Sequence, residues 1–376
     1  MSKFSRNRLR VRFFQALAGV ATLVQKLPAR MTPPPFRLMQ IGSAFWQSRA
    51  LYVATRLGLA DVLADGHKST RDIAVELQLN EDHLYRLMRM LASIGIFEEM
   101  APRVFRNSGT SGYLRRDNPK NVRAMILMHN SPEMTQPWLE PLEQSMRDGG
   151  VPFIKSHGVG LFDYMDRTPE FDTLFSDAMD CVENLTGNAY LDDFDWSAFE
   201  RVIDVGGSRG SKAASILKVA PALTAVVFDR PQVIEAARDY WQQEAAAELV
   251  GRLDFEAGDM FEQLPAAVSG RDLYLFVAVF HGLSDEEACS VLDTLRAAIG
   301  ATGASVLIVD CIANEVGIDP VTAGFDMQML ICTRGHERTP NEWKSLLEKS
   351  GFRLEEIVPV RTFAKFIVAR PGQDAR

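Results

Sequence analysis

The sequence predicts an α/β protein: a doubly wound, mainly parallel sheet behind an N-terminal, mainly helical domain. Three observations carry this reading. From Phe194 onward, short apolar strand segments alternate with helical segments. The first of those strands, Arg201–Val205, ends beside the acid Asp204 and opens into the glycine turn Gly206-Gly207-Ser208-Arg209-Gly210. Ahead of the alternation, a helix, a turn, a second helix and a small hairpin follow each other as in a winged helix-turn-helix. With 376 residues the chain is long for one domain, so two are expected.

Composition bounds the function. The chain is 47% hydrophobic and 24% charged, as soluble globular proteins are. A net charge of -8 argues against a general nucleic-acid binder, which needs a basic face for phosphates. The four cysteines (Cys181, Cys289, Cys311, Cys332) have no paired spacing and the six histidines are scattered. That pattern gives neither a disulfide framework nor a metal site, and it fits the reduced thiols of a cytoplasmic protein.

The leader, residues 1–35, ends at Pro33-Pro34-Pro35. In it Arg8, Arg10 and Arg12 precede an apolar run from Phe13 to Val24. Gln15 and Thr22 interrupt that run, it is too short to span a bilayer, and Lys26 and Arg30 follow in place of a small-residue cleavage site. A docked or membrane-surface amphipathic helix is therefore expected over a secretion signal. No other stretch reaches transmembrane length.

Residues 36–118 form the expected winged-helix domain. Phe36 to Leu63 has a helical pattern. Ser69 caps the next helix, with Asp72 three residues on in place of the usual Glu. Glu81 to Ile94 is a second helix, with Leu84, Leu87, Met88 and Leu91 on one face. Gly95–Met100 and Val104–Phe105 make the hairpin. The second helix carries Arg86 and Arg89, but Glu81, Asp82, Glu98 and Glu99 flank it, so packing or dimerisation is expected rather than DNA binding. Residues 119–195 read as a helical connector rich in methionine and aromatic side chains, which make core and also suit irregular apolar ligands. Met125, Met128, Trp138, Phe175 and Met179, with Phe325, Met327 and Met329 further on, are the candidates for a flat or greasy substrate.

Residues 196–376 carry the sheet. Strands are expected at Arg201–Val205, Thr224–Phe228, Leu253–Glu256, Leu273–Val279 and Ser305–Val309, with an extended pair at Arg353–Pro359 and Phe363–Ala369. Helices are expected at Pro231–Ala247, Ser284–Ile299 and Asn341–Ser350. In such a sheet, ligands bind at the carboxyl ends of the strands. Four ends carry chemistry. The first is the turn from Asp204 through Gly206, Gly207 and Ser208 to Gly210. Asp229, 23 residues after Gly206, ends the second and can accept both hydrogen bonds of a ribose diol. After the third, Asp259 and Met260 offer a carboxylate to an adenine amino group and an apolar side chain to its face. The fourth is followed by His281, with Ser284 and Glu287 capping the next helix. Arg230 and Phe276 complete the cofactor candidates. The glycines fall in the register Asp-x-Gly-Gly-x-x-Gly rather than Gly-x-Gly-x-x-Gly, so no pyrophosphate is implied. A nucleoside with a non-phosphate tail fits, and S-adenosylmethionine (SAM) is such a molecule.

On these motifs the chain resembles the small-molecule O-methyltransferases of the plant-caffeate and bacterial polyketide type. The resemblance runs from about Phe36 to Ala369. It includes Val279-Phe-His-Gly-Leu-Ser-Asp285, Asp326-Met-Gln-Met-Leu330 and Arg334-Gly-His-Glu-Arg-Thr-Pro-Asn-Glu-Trp343. It implies a class I methyltransferase, Rossmann-like sheet, a winged-helix dimerisation domain, a homodimer with Phe36 to Leu63 as its face, and SAM as cofactor. It also implies a histidine base, His281, held by two acids, Asp310 and Glu337. The chemistry agrees. A phenol titrates near 10, so a neutral imidazole within reach can deprotonate it at pH 7, and a carboxylate on the other ring nitrogen would fix the tautomer. His157 and His336 read as structural.

The chain departs from the family at three places. Ser208 stands where a third consecutive glycine is usual; a negative φ would accommodate it, with its hydroxyl towards the cofactor carboxylate. Gly282 and Leu283 replace an acid and a tryptophan after the histidine. Phe276-Val-Ala-Val279 lacks the usual lysine. These leave open an enzyme of the same fold that binds SAM but performs hydroxylation, decarboxylation or a pericyclic reaction.

Overall fold

Apolar side chains on both faces of the central strands organise this protein, as expected of strands covered by helices on either side. The computed structural model describes residues 3–186, 188, 190–244, 249 and 251–372. The elements are, in order, α1 (Arg8–Met31), α2 (Pro34–Leu57), α3 (Leu59–Val62), β1 (His67–Ser69), α4 (Thr70–Leu77), α5 (Glu81–Ser93), β2 (Phe97–Ala101) and β3 (Val104–Asn107). Next come α6 (Arg123–His129), α7 (Pro132–Thr135), α8 (Glu140–Asp148), α9 (Pro152–His157), α10 (Leu161–Arg167) and α11 (Pro169–Thr186). The alternating part holds β4 (Arg201–Val205), α12 (Ser211–Val219), β5 (Thr224–Asp229), α13 (Pro231–Glu244), β6 (Leu253–Ala257) and β7 (Asp272–Val277). It continues with α14 (Asp285–Ile299), β8 (Ser305–Asp310), α15 (Pro320–Cys332), α16 (Pro340–Lys349), β9 (Phe352–Pro359) and β10 (Lys365–Pro371).

The chain divides into two units by its internal contacts. One comprises Met1–Leu17, Leu142–Leu161 and Asn188–Arg376; the other, Ala18–Pro141 and Phe162–Gly187. This division by contacts cuts the chain differently from the expected boundaries at 36, 119 and 196. The connector is not one block, because α6 packs on α11 and α2 whereas α9 packs on α15.

In the first unit a seven-stranded sheet has the order β6-β5-β4-β7-β8-β10-β9. The first five of these are mutually parallel, and β10 runs antiparallel to both β8 and β9. Alternation along each strand separates two cores. Val202, Leu273, Leu275 and Leu307 join one apolar cluster with α12 residues such as Ile216 and Leu217. Ile203, Tyr274, Phe276 and Ile308 join the other, with α14 and α16 residues such as Leu292 and Trp343. Helices thus cover both faces, and the doubly wound expectation holds. Of the expected helix Pro231–Ala247, residues 245–247 lie outside the described residues.

In the second unit, Gly58 (φ +70°) breaks the expected Phe36–Leu63 helix into α2 and α3. The Ser69 hydroxyl accepts the Asp72 N–H as an N-cap, and it also donates to the Asp72 carboxylate. The hairpin is a three-stranded sheet of order β1-β3-β2. Sequence reading missed β1 because three residues show no alternation. Arg103 pairs with Glu81 and Asp82, and Arg106 with Glu98, so these hairpin arginines are engaged by the acids that flank α5.

Candidate active site

The strand order places the site. β4 is flanked by β5 on one side and β7 on the other, so the strand order reverses there, which is where a doubly wound sheet takes its ligand, beyond the carboxyl ends of β4 and β7. The glycine turn leaves β4, and the His281 turn leaves β7.

At β4, Asp204 is buried, and a β-carbon on Gly207 would lie 2.8 Å from its carboxylate. Close approach therefore requires glycine there. Gly206 and Gly210 have φ +71° and +80°, and Gly210 begins α12 without a capping side chain. Ser208 corrects an expectation. Its φ is +50°, in the left-handed region, not negative. The cause is local: this turn aims the Ser208 N–H at Asp229 Oδ2, 2.9 Å away. The other oxygen of Asp229 accepts the Arg230 N–H at 2.8 Å. Asp259 is exposed and accepts the Phe261 N–H, while Met260 is half-buried beside it. Phe276, expected at the cofactor, is instead fully buried in the core, edge-on to Phe280 at 5.0 Å. Its place on β7 points it under the sheet end, where it packs.

Beyond β7 the backbone turns sharply. Ala278 adopts φ +54°, and Phe280–Gly282 form a single 3₁₀ turn that carries His281. His281 Nδ1 lies 2.8 Å from Glu337 Oε1, and the Glu337 side chain is fully buried. Asp310, the last residue of β8, is also buried. Burial lowers the imidazole's affinity for a proton. The Glu337 hydrogen bond and the charges of Asp310 and Glu337 outweigh it, so His281 titrates above its ordinary 6.5. Burial pushes the Asp310 carboxyl up to about 7, against the pull of the His281 ring. Ser284 and Glu287 form the expected capping box on α14, and Thr339 and Glu342 form a second on α16.

Three residues that hold this arrangement carried no sequence-based role. Arg338 is buried and donates to Phe280 O (2.7 Å), Leu283 O (2.8 Å) and Asp285 Oδ1, with its guanidinium over Trp343. It clamps the carbonyls on either side of His281. Gly335 sits where a β-carbon would fall 2.0 Å from the His281 carbonyl oxygen. Asp326 accepts the Glu337 N–H at 2.9 Å. All three lie within the quoted motifs. The partners of Arg338 and Gly335 are remote in sequence, so only the charged Arg338 beside Glu337 gave a signal.

The substrate candidates fall in both units. Met128 is buried, Met125 and Phe175 are half-buried, and Trp138 and Met179 are exposed, all in the second unit. Phe325, Met327 and Met329 lie half-buried on α15 of the first unit, where Phe325 stacks on Phe363 at 5.3 Å.

Known proteins share this framework. Residues 138–353 match an O-methyltransferase domain family, and residues 39–117 match an O-methyltransferase dimerisation domain. The phenazine O-methyltransferase PhzM of Lysobacter antibioticus is 31% identical over 335 residues, covering 89% of this chain and 95% of that protein. The crystal structure of LaPhzM superposes with a TM-score of 0.84 at 30% identity, covering 90% of this chain and all of that one. CalO1, a methyltransferase in calicheamicin biosynthesis with S-adenosylhomocysteine (SAH) bound, gives a TM-score of 0.76 at 25% identity, covering 90% and 98%.

Proposed function

Because the chain belongs to the O-methyltransferase family and is a SAM-dependent enzyme of the class I methyltransferase fold, we propose that it methylates a hydroxyl of an aromatic or polyketide-like small molecule in secondary metabolism, with His281 as general base. The observation that carries the base assignment is the 2.8 Å contact from His281 Nδ1 to the buried Glu337.

The cofactor fits the residues present. The turn at Gly206 and Gly207 keeps side chains out of the way, Asp229 ends the neighbouring strand, and Asp259 is exposed beside Met260. Asp204, Ser208, Gly210 and Arg230 complete that cradle. Bound there, SAM supplies an electrophilic methyl group on a sulfonium. The protein's own part is to position and deprotonate the acceptor. With Nδ1 donating to Glu337, the neutral tautomer leaves Nε2 to take the hydroxyl proton. The buried Glu337, with Asp310 behind, then stabilises the imidazolium in a site of low polarity. Arg338 and Gly335 keep the ring in register.

Met125, Met128, Trp138, Phe175, Met179, Phe325, Met327 and Met329 remain our candidates for acceptor contacts, since adaptable methionines and flat rings suit polycyclic substrates. We also propose a homodimer. Phe36, Leu38, Met39, Ile41, Phe45 and Trp46 on α2 are each more than 60% exposed, and the dimerisation match begins among them. The four free cysteines support action in the cytoplasm. Among the described residues no helix is long and apolar enough to cross a membrane.

The test is incubation with SAM and a panel of phenolic polycycles, including a hydroxyphenazine, with SAH and product mass both recorded. The reading expects stoichiometric SAH and a product heavier by one CH2. A product that gains oxygen, or loses carbon dioxide, without SAH would overturn it.

A further inference from the structure

We propose that α1 is an anchor that lays the enzyme on an anionic membrane surface. Charge is the first observation. The first 60 residues contain ten Lys and Arg and no acid, so all 49 acids of the chain lie beyond them. Five of the ten (Arg8, Arg10, Arg12, Lys26, Arg30) are in α1. Such asymmetry in an acidic protein marks a basic segment with a partner of its own.

The second observation is an apolar stripe along the same helix. Leu9, Phe13, Leu17, Val20, Val24 and Met31 are 52–83% exposed. Their spacings of three, four and seven residues keep them within one narrow sector of the helix. Val11 lies roughly 160° around from Phe13 by helical geometry and is 2% exposed. It is the one buried side chain among those described in α1. Within the first unit, the start of the helix therefore turns Val11 inward, and the apolar stripe along the helix stays exposed. The segment just before it is fixed to the first unit. Phe4 is buried against Phe194 and Phe199, Arg6 N–H donates to Asp193 O, and the Arg6 guanidinium pairs with Asp195 at 2.7 Å.

An outward apolar stripe flanked by cations is how a helix lies in a lipid interface, with arginine stems reaching up to headgroups. A negative leaflet complements a helix without acids. Symmetric pairing of α1 with a second copy would instead bring like charges together. The dimerisation match, moreover, starts at residue 39, after α1 has ended.

Co-sedimentation of the full chain with phosphatidylglycerol–phosphatidylcholine vesicles, compared with pure phosphatidylcholine vesicles, tests this. The expected result is pelleting with the anionic vesicles only, weakening as salt rises. Partitioning should fall roughly tenfold or more both in Phe13→Gln/Val20→Gln and in Arg8→Gln/Arg10→Gln/Arg12→Gln, with methyl transfer in solution unchanged. No pelleting would overturn the proposal. So would undiminished binding by the apolar double variant, which would show that charge alone, without the apolar stripe, holds the chain to the vesicles. A shift of that variant from dimer to monomer in sedimentation velocity would assign the stripe to a second copy and overturn it too.

Discussion

His281 Nδ1 and Glu337 Oε1 lie 2.8 Å apart although the residues are 56 positions apart in sequence. One comes from the turn after β7, the other from the loop before α16. Arg338, which donates to Phe280 O and Leu283 O, and Gly335, packed against the His281 carbonyl, bind the two loops together.

The first consequence is a pH dependence. The proposed base works as neutral imidazole, and its pKa is raised above 6.5, so kcat/KM should climb with pH through that raised value and then level off. Glu337→Gln removes a hydrogen bond to the charged form and one negative charge. The rising limb should move to lower pH while the plateau falls about 100-fold. Rate–pH profiles of both proteins check this; an unmoved limb would detach Glu337 from the base.

The same shift acts on stability. A histidine with a raised folded pKa contributes stability that is fully present below its unfolded value of about 6.5 and is lost as pH rises through the folded value. The deficit of Glu337→Gln relative to wild type should therefore be larger near about pH 6 than near about pH 9. Thermal melts at the two pH values measure it.

Arg338 is expected to matter through geometry. Arg338→Met leaves Phe280 O and Leu283 O without their buried donor, a loss of about 2–4 kcal/mol by denaturant titration. Arg338→Lys, which lacks the planar fork, should recover little of kcat.

Gly335→Ala introduces a β-carbon against backbone atoms of His281, Gly282 and Leu283, none of which can rotate aside. A loss of about 2–4 kcal/mol is expected, with kcat falling more than KM changes. Normal stability in this variant would show that the two loops are free to separate.

Ser208→Gly should have the opposite sign. Left-handed backbone costs a non-glycine residue about 1–2 kcal/mol, and added freedom of the unfolded chain returns part of that. A gain of about 0.5–1 kcal/mol is expected with SAM affinity retained, by melts and calorimetric titration.

Sequence reading reached the sheet because its signals are local. Alternation of segments gave the strands, and Ser69, Ser284 and Glu287 sit at helix starts where capping chemistry is written in adjacent residues. Asp229 was legible as a strand end because the apolar run before it stops at an acid. The failures are of another kind. The positive φ of Ser208 follows from an N–H that must reach Asp229, the burial of Phe276 from packing on Phe280, and the role of Gly335 from a loop folded back from far along the chain. The split of the 119–195 region likewise depends on which helix each segment meets. Contacts between remote segments have no local trace.

In the proposed reaction His281 removes the proton from the acceptor. Its most direct test is SAH formation by His281→Ala with an acceptor that the wild-type enzyme methylates, measured at saturating SAM from pH 6 to 10. A loss of about 100-fold or more is expected at neutral pH, narrowing as the phenol ionises by itself near pH 10. Wild-type turnover by the variant at neutral pH would contradict it.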